Sequence, residues 1–278
     1  MKKLIGLLIV ALLGQAMAMA QPLQTPLASP PQNVKQDFGL SSIEVSYSRP
    51  GVKGRKIFGE LVPFGKVWRT GANQATTISF GDDVTIDGNK LPAGKYGLLT
   101  IPGPETWTII FSKQLDVTSP AAYHQDQDVL RVNEKVTEIP FSLENFMITF
   151  NNLTASSCDL QLIWDQSLIN LPIKTNIDDK IMAEIDNHMN KDNRPYYSAA
   201  FYYLENGKDL NKALEWFNKA AEQDPKAFFV YYQKARCEAK LGRKADAVAT
   251  AKHSIELARA AGNDDYVGLN EKLIASLP

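Results

Sequence analysis

The stretch PYYSAAFYYLENGKDLNKALEWFNKAAEQDP, at residues 195–225, decides the fold of the C-terminal third of this chain. Small and aromatic residues recur in it at helical spacing, and Gly207 interrupts the pattern where a first helix should end. The closing Asp-Pro pair then stops a second helix. Small residues such as Ala200 and Ala213 let two helices approach each other closely. The stretch therefore predicts a pair of packed helices.

The helix pair repeats further along the chain. The positions that carry the pattern are Tyr196, Ala199, Ala200, Tyr203, Gly207, Ala213, Phe217, Ala220 and Pro225. A second and weaker copy, from about 227 to 260, continues the register at Tyr231, Ala235, Gly242 and Ala247. The spacing is close to the ~34-residue period of tetratricopeptide repeats. The C-terminal part thus resembles the tetratricopeptide family, with about two repeats.

Further helices are expected on both sides of the repeats. Ile177, Ile181, Ile185 and Met189 fall four apart and predict an amphipathic helix before the first pair. A last helix, at about 264–276, would cover the end of the stack, as terminal helices of repeat arrays must. No strand is predicted in this region.

The region before the helices has the pattern of strands. Ile43, Val45 and Tyr47 alternate with polar residues, which places one face of a strand in a core and the other in water. Separate strands are also predicted at 129–136 and 146–150. Many short strands divided by turn residues predict a sandwich of two sheets.

The expected fold class is therefore α+β with several domains. An antiparallel β-sandwich at 38–176 is followed by an all-α tetratricopeptide-like helical array at 177–278.

A basic and aromatic cluster occupies a long loop of the β-domain. Its candidate binding residues are Arg49, Lys53, Arg55, Trp68, Arg69 and Asn73. Arginine offers a planar fork to carboxylates or phosphates, and tryptophan offers a stacking face to sugars or peptides. The cluster predicts a site for a small anionic ligand or a glycan. The alternative is structural, with Trp68 in the core and the arginines paired with acidic residues, namely Glu60, Asp82 or Asp128.

The same loop carries a family resemblance. Residues 47–73, followed by 91–96 and 107–111, resemble the family known as domain of unknown function 2911. The resemblance covers most of residues 38–175. It implies an exported protein of the kind found in Bacteroidota, often with a tetratricopeptide-like C-terminus. It implies no particular activity.

The helical array has a predicted binding face of its own. In known tetratricopeptide arrays the first helix of each pair lines an inner face that binds peptides or partner proteins. In this register the inner face shows Arg194, Tyr197, Phe201, Glu205, Phe229, Tyr232, Arg236 and Lys240. Aromatic and arginine side chains are typical of such contacts. The alternative is that the β-domain or the helix at 177–190 covers the aromatic rings.

The N-terminus has the three parts of a secretory signal peptide. Two early lysines precede an apolar stretch that is too short to span a bilayer, and Ala18-Met19-Ala20 offers small residues for cleavage. We expect a signal peptide at 1–20 with cleavage near Ala20, and a Pro- and Gln-rich linker at 21–37. The mature chain would be periplasmic or secreted, without a transmembrane anchor.

Charge and cysteine content exclude some classes of function. A formal net charge of −1 argues against nucleic-acid binding, which depends on neutralising phosphates. Cys158 and Cys237 are expected to be buried thiols in different domains, and a disulfide is the alternative. The histidines are far apart and no metal-ligand spacing occurs, so no metal and no cofactor are predicted.

The sequence assigns no catalytic residue. His124 lies near Tyr123, Asp126 and Asp128, but an acid–base site needs a placed base, which proximity in sequence does not provide. A hydrolase is therefore a second alternative. The preferred hypothesis is an exported binding or scaffold protein, whose helices hold an envelope protein or peptide and whose β-domain loop holds a ligand.

Overall fold

The computed structural model of the protein describes residues 25–190 and 194–277. Contacts divide the chain between Asn176 and Ile177 into a β unit and a helical unit. The signal peptide predicted at 1–20 lies outside the described residues, as does the start of the predicted linker.

The β unit is built on nine antiparallel strands. They are β1 (Pro31–Phe38), β2 (Ser41–Ser48), β3 (Thr77–Phe80), β4 (Val84–Ile86), β5 (Asn89–Leu91), β6 (Gly94–Ile101), β7 (Thr106–Ser112), β8 (Asp128–Asn151) and β9 (Ser157–Thr175). Hydrogen bonds join them in the order β1-β2-β3-β6-β7-β8-β9-β4-β5. The long strand β8 pairs with β7 on one side and with β9 on the other, so it belongs to both parts of the sheet.

Strand β8 folds the nine strands into two layers around one core. Its residues 128–135 pair with β7, its residues 136–151 pair with β9, and its register with β9 shifts between Glu138 and Met147. Across the core, the rings of Tyr47 and Phe146 lie 5.7 Å apart, and the Ile148 N–H donates to the Tyr47 hydroxyl at 2.9 Å. The predicted antiparallel sandwich is confirmed, and its two sheets are continuous through β8. The strands predicted separately at 129–136 and 146–150 are parts of this one strand.

Strand β1 corrects the predicted linker. Residues 31–38 pair with β2 along their whole length, from Pro31 opposite Ser48 to Phe38 opposite Ser41, so a linker through residue 37 is wrong for this part. An edge strand is held by backbone hydrogen bonds, which need no large apolar side chains. Phe38 and Val34 add contacts with the core.

A smaller apolar cluster covers the outer face of β6 and β7. Segment 113–127, which contains two short 3-10 helices, lies next to these strands. Its buried members are Leu99, Ile110 and Val117, with Val67, Ile101 and Tyr123 packed around them. Strands β6 and β7 are therefore buried on both faces.

The helical unit contains six described helices. They are α1 (Asp178–Met189), α2 (Tyr196–Glu205), α3 (Leu210–Gln223), α4 (Phe228–Lys240), α5 (Lys244–Ala260) and α6 (Asp264–Ala275). Helices α2 and α3 form the first predicted pair, α4 and α5 form the second, and α6 is the predicted last helix. Within the described ranges, none of the helices combines the length and apolar character that a bilayer crossing needs.

Glycine ends the first helix of each pair, as the sequence predicts. Gly207 and Gly242 have φ of 63° and 76°, in the left-handed region that glycine adopts without steric cost. The next residue in each case, Lys208 or Arg243, donates its N–H back to the helix, at 3.0 Å and 2.9 Å. This is the Schellman arrangement, which satisfies carbonyl groups of the last turn.

Small residues let α2 and α3 pack closely. Ala200 and Ala213 are fully buried, and Phe217 fills the space between the first pair and α4. The two cysteines, Cys158 in β9 and Cys237 in α4, are buried free thiols, as predicted.

Candidate functional site

Aromatic side chains form a continuous row on the first helix of each repeat and on the last helix. We call this set the aromatic row: Tyr197 and Phe201 on α2, Phe228, Phe229 and Tyr232 on α4, and Tyr266 on α6. Each of these side chains is partly exposed, and Phe201 retains 37% of its accessible surface. The row places on one surface the aromatic residues that the sequence assigned to the inner face.

Ring contacts connect the row from α2 to α6. Tyr197 stacks on Phe201 at a centroid distance of 6.1 Å and meets Phe229 edge-on at 5.2 Å. Phe228 contacts both Phe229, at 5.8 Å, and Tyr266, at 4.9 Å. Tyr232 also meets Tyr266, at 5.5 Å. The row therefore crosses three helices without a break.

The two basic side chains beside the row, Arg236 and Lys240, already have partners. The Arg236 guanidinium lies 2.8 Å from a Glu205 carboxylate oxygen, donates to Gln233 at 2.7 Å, and lies 5.9 Å from the Tyr232 ring centroid. The Lys240 ammonium donates to the Leu204 carbonyl at 3.1 Å. Both basic side chains are thus held by groups of the same unit.

The hydroxyl of Tyr197 stays protonated at neutral pH. Burial raises the pKa of Tyr197 above its ordinary value, nearby Tyr266 raises it further, and Arg236 acts in the opposite direction. A protonated hydroxyl both donates and accepts hydrogen bonds.

Arg194 is separated from the other predicted inner-face residues. It donates to the Tyr196 hydroxyl at 3.2 Å and lines a cavity of about 490 Å³ with residues of α1 and α3, among them Asp186 and Trp216. Arg194 precedes the first turn of α2. Helical periodicity does not fix the direction of a side chain there, so the register used for the inner face does not extend to this residue.

Helix α1 packs on a different side of α2 from the aromatic row. Ile185 joins the buried cluster of Ala199 and Ala200, and Asp178 accepts hydrogen bonds from Tyr202 at 2.6 Å and from Lys208 at 2.7 Å. A cavity lined by both helices shows that α1 meets α2 at Ser198, Ala199 and Tyr202, and neither Tyr197 nor Phe201 lines it. The alternative in which α1 covers the row is therefore not what the structure shows.

In the β unit, Trp68 belongs to an aromatic core. It stacks on Trp164 at 5.6 Å with an interplanar angle of 18°, and meets Phe58, Trp107 and Phe146 edge-on. Its indole N–H donates to the Gly71 carbonyl at 3.0 Å. One face of the indole ring and its N–H group thus contact other residues of the protein.

The arginines of the predicted loop site bind main-chain oxygens. Arg49 donates to Phe146 at 3.0 Å, and Arg55 donates to Gly51 at 2.6 Å and to Val52 at 3.1 Å. Arg69 donates to the Asn73 carbonyl at 3.1 Å and also to the Thr118 carbonyl, which ties the loop to segment 113–127.

The remaining two members of the loop site point to different places. The Asn73 amide donates to the Ser29 carbonyl at 2.8 Å, whereas the exposed Lys53 is held by its backbone N–H, which donates to Glu144 at 3.0 Å. The structure therefore does not bring the six candidates into one cleft.

Two of the acidic partners named in the structural alternative, Glu60 and Asp128, form ion pairs with other basic residues. Glu60 lies 3.3 Å from Lys56, and Asp128 lies 3.5 Å from Arg131. The arginines are structural in the way the alternative expects, but carbonyl groups take the place of carboxylates.

The segment around His124 shows no acid–base pair with this histidine. The Tyr123 hydroxyl donates to Asp128, and burial, helped by this bond, raises the pKa of Tyr123 to about 12. The exposed His124 uses its backbone N–H, which donates to Gln114 at 2.7 Å. Among the described residues, no cluster of three or more His, Cys, Asp or Glu side chains could hold a metal ion.

Sequence reasoning missed two members of the aromatic row, Phe228 and Tyr266. Tyr266 follows Asp264 and Asp265 in a helix interpreted as a polar end cap, which concealed its role. Its position in the first turn of α6 corresponds to the row positions of α4, and this correspondence is the signal that would have found it.

These features define a class of protein: an antiparallel β-sandwich followed by paired helices with a tetratricopeptide-like register. The β unit matches the family model described as "Protein of unknown function (DUF2911)" over residues 29–173, more than half of the chain. The chain belongs to this family.

One solved structure is also similar to part of the chain. It is a tetratricopeptide repeat domain protein from Salinibacter ruber, 26% identical, and the match covers 30% of this chain and 91% of that one with a TM-score of 0.28. A TM-score this low carries no argument about this chain. No curated protein matches this chain.

Proposed function

We propose that the protein is an exported binding or scaffold protein whose helical unit holds a segment of another polypeptide on the aromatic row. The observation that carries this proposal is the unbroken row of partly exposed rings across α2, α4 and α6. Clustered aromatic side chains dominate the binding energy of many protein interfaces. Leu269 on α6, 39% exposed, adds apolar surface to the unit.

A pair of variants tests the binding role of the row. Phe201→Ser and Tyr232→Ser remove two exposed rings from different helices, and Asn218→Ser is a matched control on the exposed face of α3. The mature chain, immobilised, is exposed to envelope extract, and captured polypeptides are compared between variants. We expect both ring variants to lose the partner that wild type and control retain. Equal capture by all four proteins, with unchanged melting temperatures, would contradict the proposal.

The β unit carries a weaker second proposal, for a small anionic ligand or a glycan. Its support is the exposed turn at 53–55, where the Lys53 ammonium and the outer edge of Arg55 face solvent. A thermal-shift screen with phosphate, short carboxylates and oligosaccharides tests it on the wild type and on Lys53→Ser. A shift that the variant loses supports a site here, and the absence of any shift counts against it.

Export rests on the pattern of residues 1–20 alone. Expression of the full chain in a Gram-negative host, with fractionation and N-terminal sequencing, should place the protein in the periplasm with Gln21 first. A cytoplasmic protein that retains Met1 would contradict this part of the proposal.

A further inference from the structure

The ring contacts of the aromatic row run across the helices. Its contacts lead from Phe201 through Tyr197 and Phe229 to Phe228, Tyr266 and Tyr232, across the axes of three helices. A ligand that touches the whole row must therefore be elongated and lie across the helices. A chain in an extended or polyproline II conformation meets this requirement.

The two basic side chains beside the row, Arg236 and Lys240, already have partners within the unit. Arg236 is paired with Glu205 at 2.8 Å and with Gln233, and Lys240 is bound to the Leu204 carbonyl. An acidic ligand would have to displace Glu205 from Arg236 before it gained the same contact. An uncharged ligand leaves these bonds intact and gains its binding energy from contact with the rings alone.

The exposed groups of the row also fit a peptide better than a sugar. Glycan sites combine rings with convergent polar side chains, but here the guanidinium, carboxylate and amide next to the rings bond to one another. What remains is ring surface and tyrosine hydroxyls. Proline-rich segments suit aromatic binding surfaces because they are already extended and lose little entropy on binding.

We infer that the aromatic row takes an uncharged, proline-containing extended segment of a partner polypeptide. The inference rests on the proposed function and narrows it to one partner chemistry. The sequence pattern instead predicts that the basic side chains also contact the bound peptide.

The experiment compares three synthetic peptides on the mature chain by fluorescence anisotropy. The neutral peptide is three repeats of Pro-Leu-Ser-Pro, and the acidic and basic peptides replace each serine with aspartate or lysine. We expect the neutral peptide to bind most tightly. Its affinity should change by less than about twofold between about 50 and 500 mM salt, since no ion pair forms on binding.

Variants of the chain locate the bound peptide. Tyr232→Ser and Phe201→Ser should weaken the neutral peptide by about tenfold or more, as expected for truncation of central aromatic contacts. Lys240→Gln should change its affinity by less than about twofold, because the ammonium is engaged within the unit. Tyr232→Phe keeps the ring and should retain binding, which separates loss of contact from loss of fold.

Three outcomes would overturn the inference. Tighter binding of the acidic peptide, weakened by Lys240→Gln and by salt, would leave the proposed function standing with the wrong partner chemistry. Binding of cellohexaose with the same sensitivity to Tyr232→Ser would make the row a glycan site. If none of the three peptides binds and the capture experiment also shows no dependence on the row, the proposed function fails as well.

Discussion

Trp68 stacks on Trp164 with ring centroids 5.6 Å apart and planes inclined by only 18°. Trp164 is buried in β9, so this contact fastens the long loop between β2 and β3 to the opposite layer of the sandwich. The sequence offered Trp68 both as a binding residue and as a core residue. The four rings that surround it favour the second role.

Replacement of Trp68 should therefore act on stability. Trp68→Ala is expected to lower the free energy of unfolding by about 3 kcal/mol or more, because it leaves a cavity between large rings. Guanidinium denaturation measures this effect. Phe64→Ala is the matched control, since Phe64 is an exposed aromatic residue of the same loop and should cost about 1 kcal/mol or less. Equal costs for the two variants would show that Trp68 is not a core residue.

Gly97 in β6 should not tolerate a side chain. A Cβ atom there would collide with the Gln114 carbonyl oxygen, which is backbone and cannot turn aside. Gly97→Ala is expected to displace segment 113–127 and to lower the free energy of unfolding by about 1–3 kcal/mol.

Gly54→Ala provides the comparison for Gly97→Ala. A Cβ atom added at Gly54 would meet no atom within 4 Å, and the φ of this residue is 69°. Its variant therefore carries only the cost of left-handed backbone, about 1–2 kcal/mol. Hydrogen exchange distinguishes the two variants further. Faster exchange of segment 113–127 is expected in Gly97→Ala alone, and unaltered exchange there would contradict the predicted collision.

The contacts of Asp178 predict a pH dependence for the docking of α1. Hydrogen bonds from Lys208 and Tyr202 hold the pKa of Asp178 below its ordinary value. A lowered pKa in the folded state contributes stability above the unfolded pKa of about 3.9 and loses it as pH falls through the folded pKa. The protection factors of the α1 amides, which are exchange rates corrected for the intrinsic effect of pH, should therefore be constant from neutral pH to about pH 5 and fall below about pH 4.

Substitution of Asp178 should reproduce the acid effect at neutral pH. Asp178→Asn is expected to accelerate exchange in α1 at pH 7, whereas Asp186→Asn, the same change at an exposed position of the helix, should not. If both variants behave like wild type, the bonds of Asp178 do not hold α1 in place.

The two cysteines should be unreactive in the native protein. Burial, with a smaller effect of a neighbouring carboxylate, raises the pKa of both Cys158 and Cys237 to about 11. Only about one thiol in a thousand is then ionised at pH 8, and the thiolate is the reactive form. Ellman's reagent should detect no thiol before unfolding and two per chain afterwards. Rapid reaction of the folded chain, or fewer than two thiols after unfolding, would contradict this prediction.

Periodicity made most of the fold predictable. The alternation at Ile43, Val45 and Tyr47 and the glycines at 207 and 242 are local signals, and the structure follows them. Strand β1 was missed because its pairing depends on β2, and a polar sequence can form an edge strand when a partner is present. The continuity of β8 was missed because its irregular middle, at 138–147, looks like a loop in sequence.

The candidate site was predictable in part. Helical register placed Tyr197, Phe201 and Tyr232 on one face, since residues three and four apart lie together on a helix. It did not reveal that Arg236 pairs with Glu205, because the two residues lie on different helices and only packing sets their distance.

The sequence by itself determined the order of sheet and helices, the repeat register and the membership in a family. These depend on local backbone preferences and on residue spacing, which are written along the chain. Only the tertiary structure decided what the side chains of 47–73 and of the inner face do. Their partners are carbonyl groups, rings and carboxylates distant in sequence, and the choice of partner depends on distances that exist only after folding. That choice turned Trp68 and the loop arginines toward the protein and left the rings of the aromatic row partly exposed.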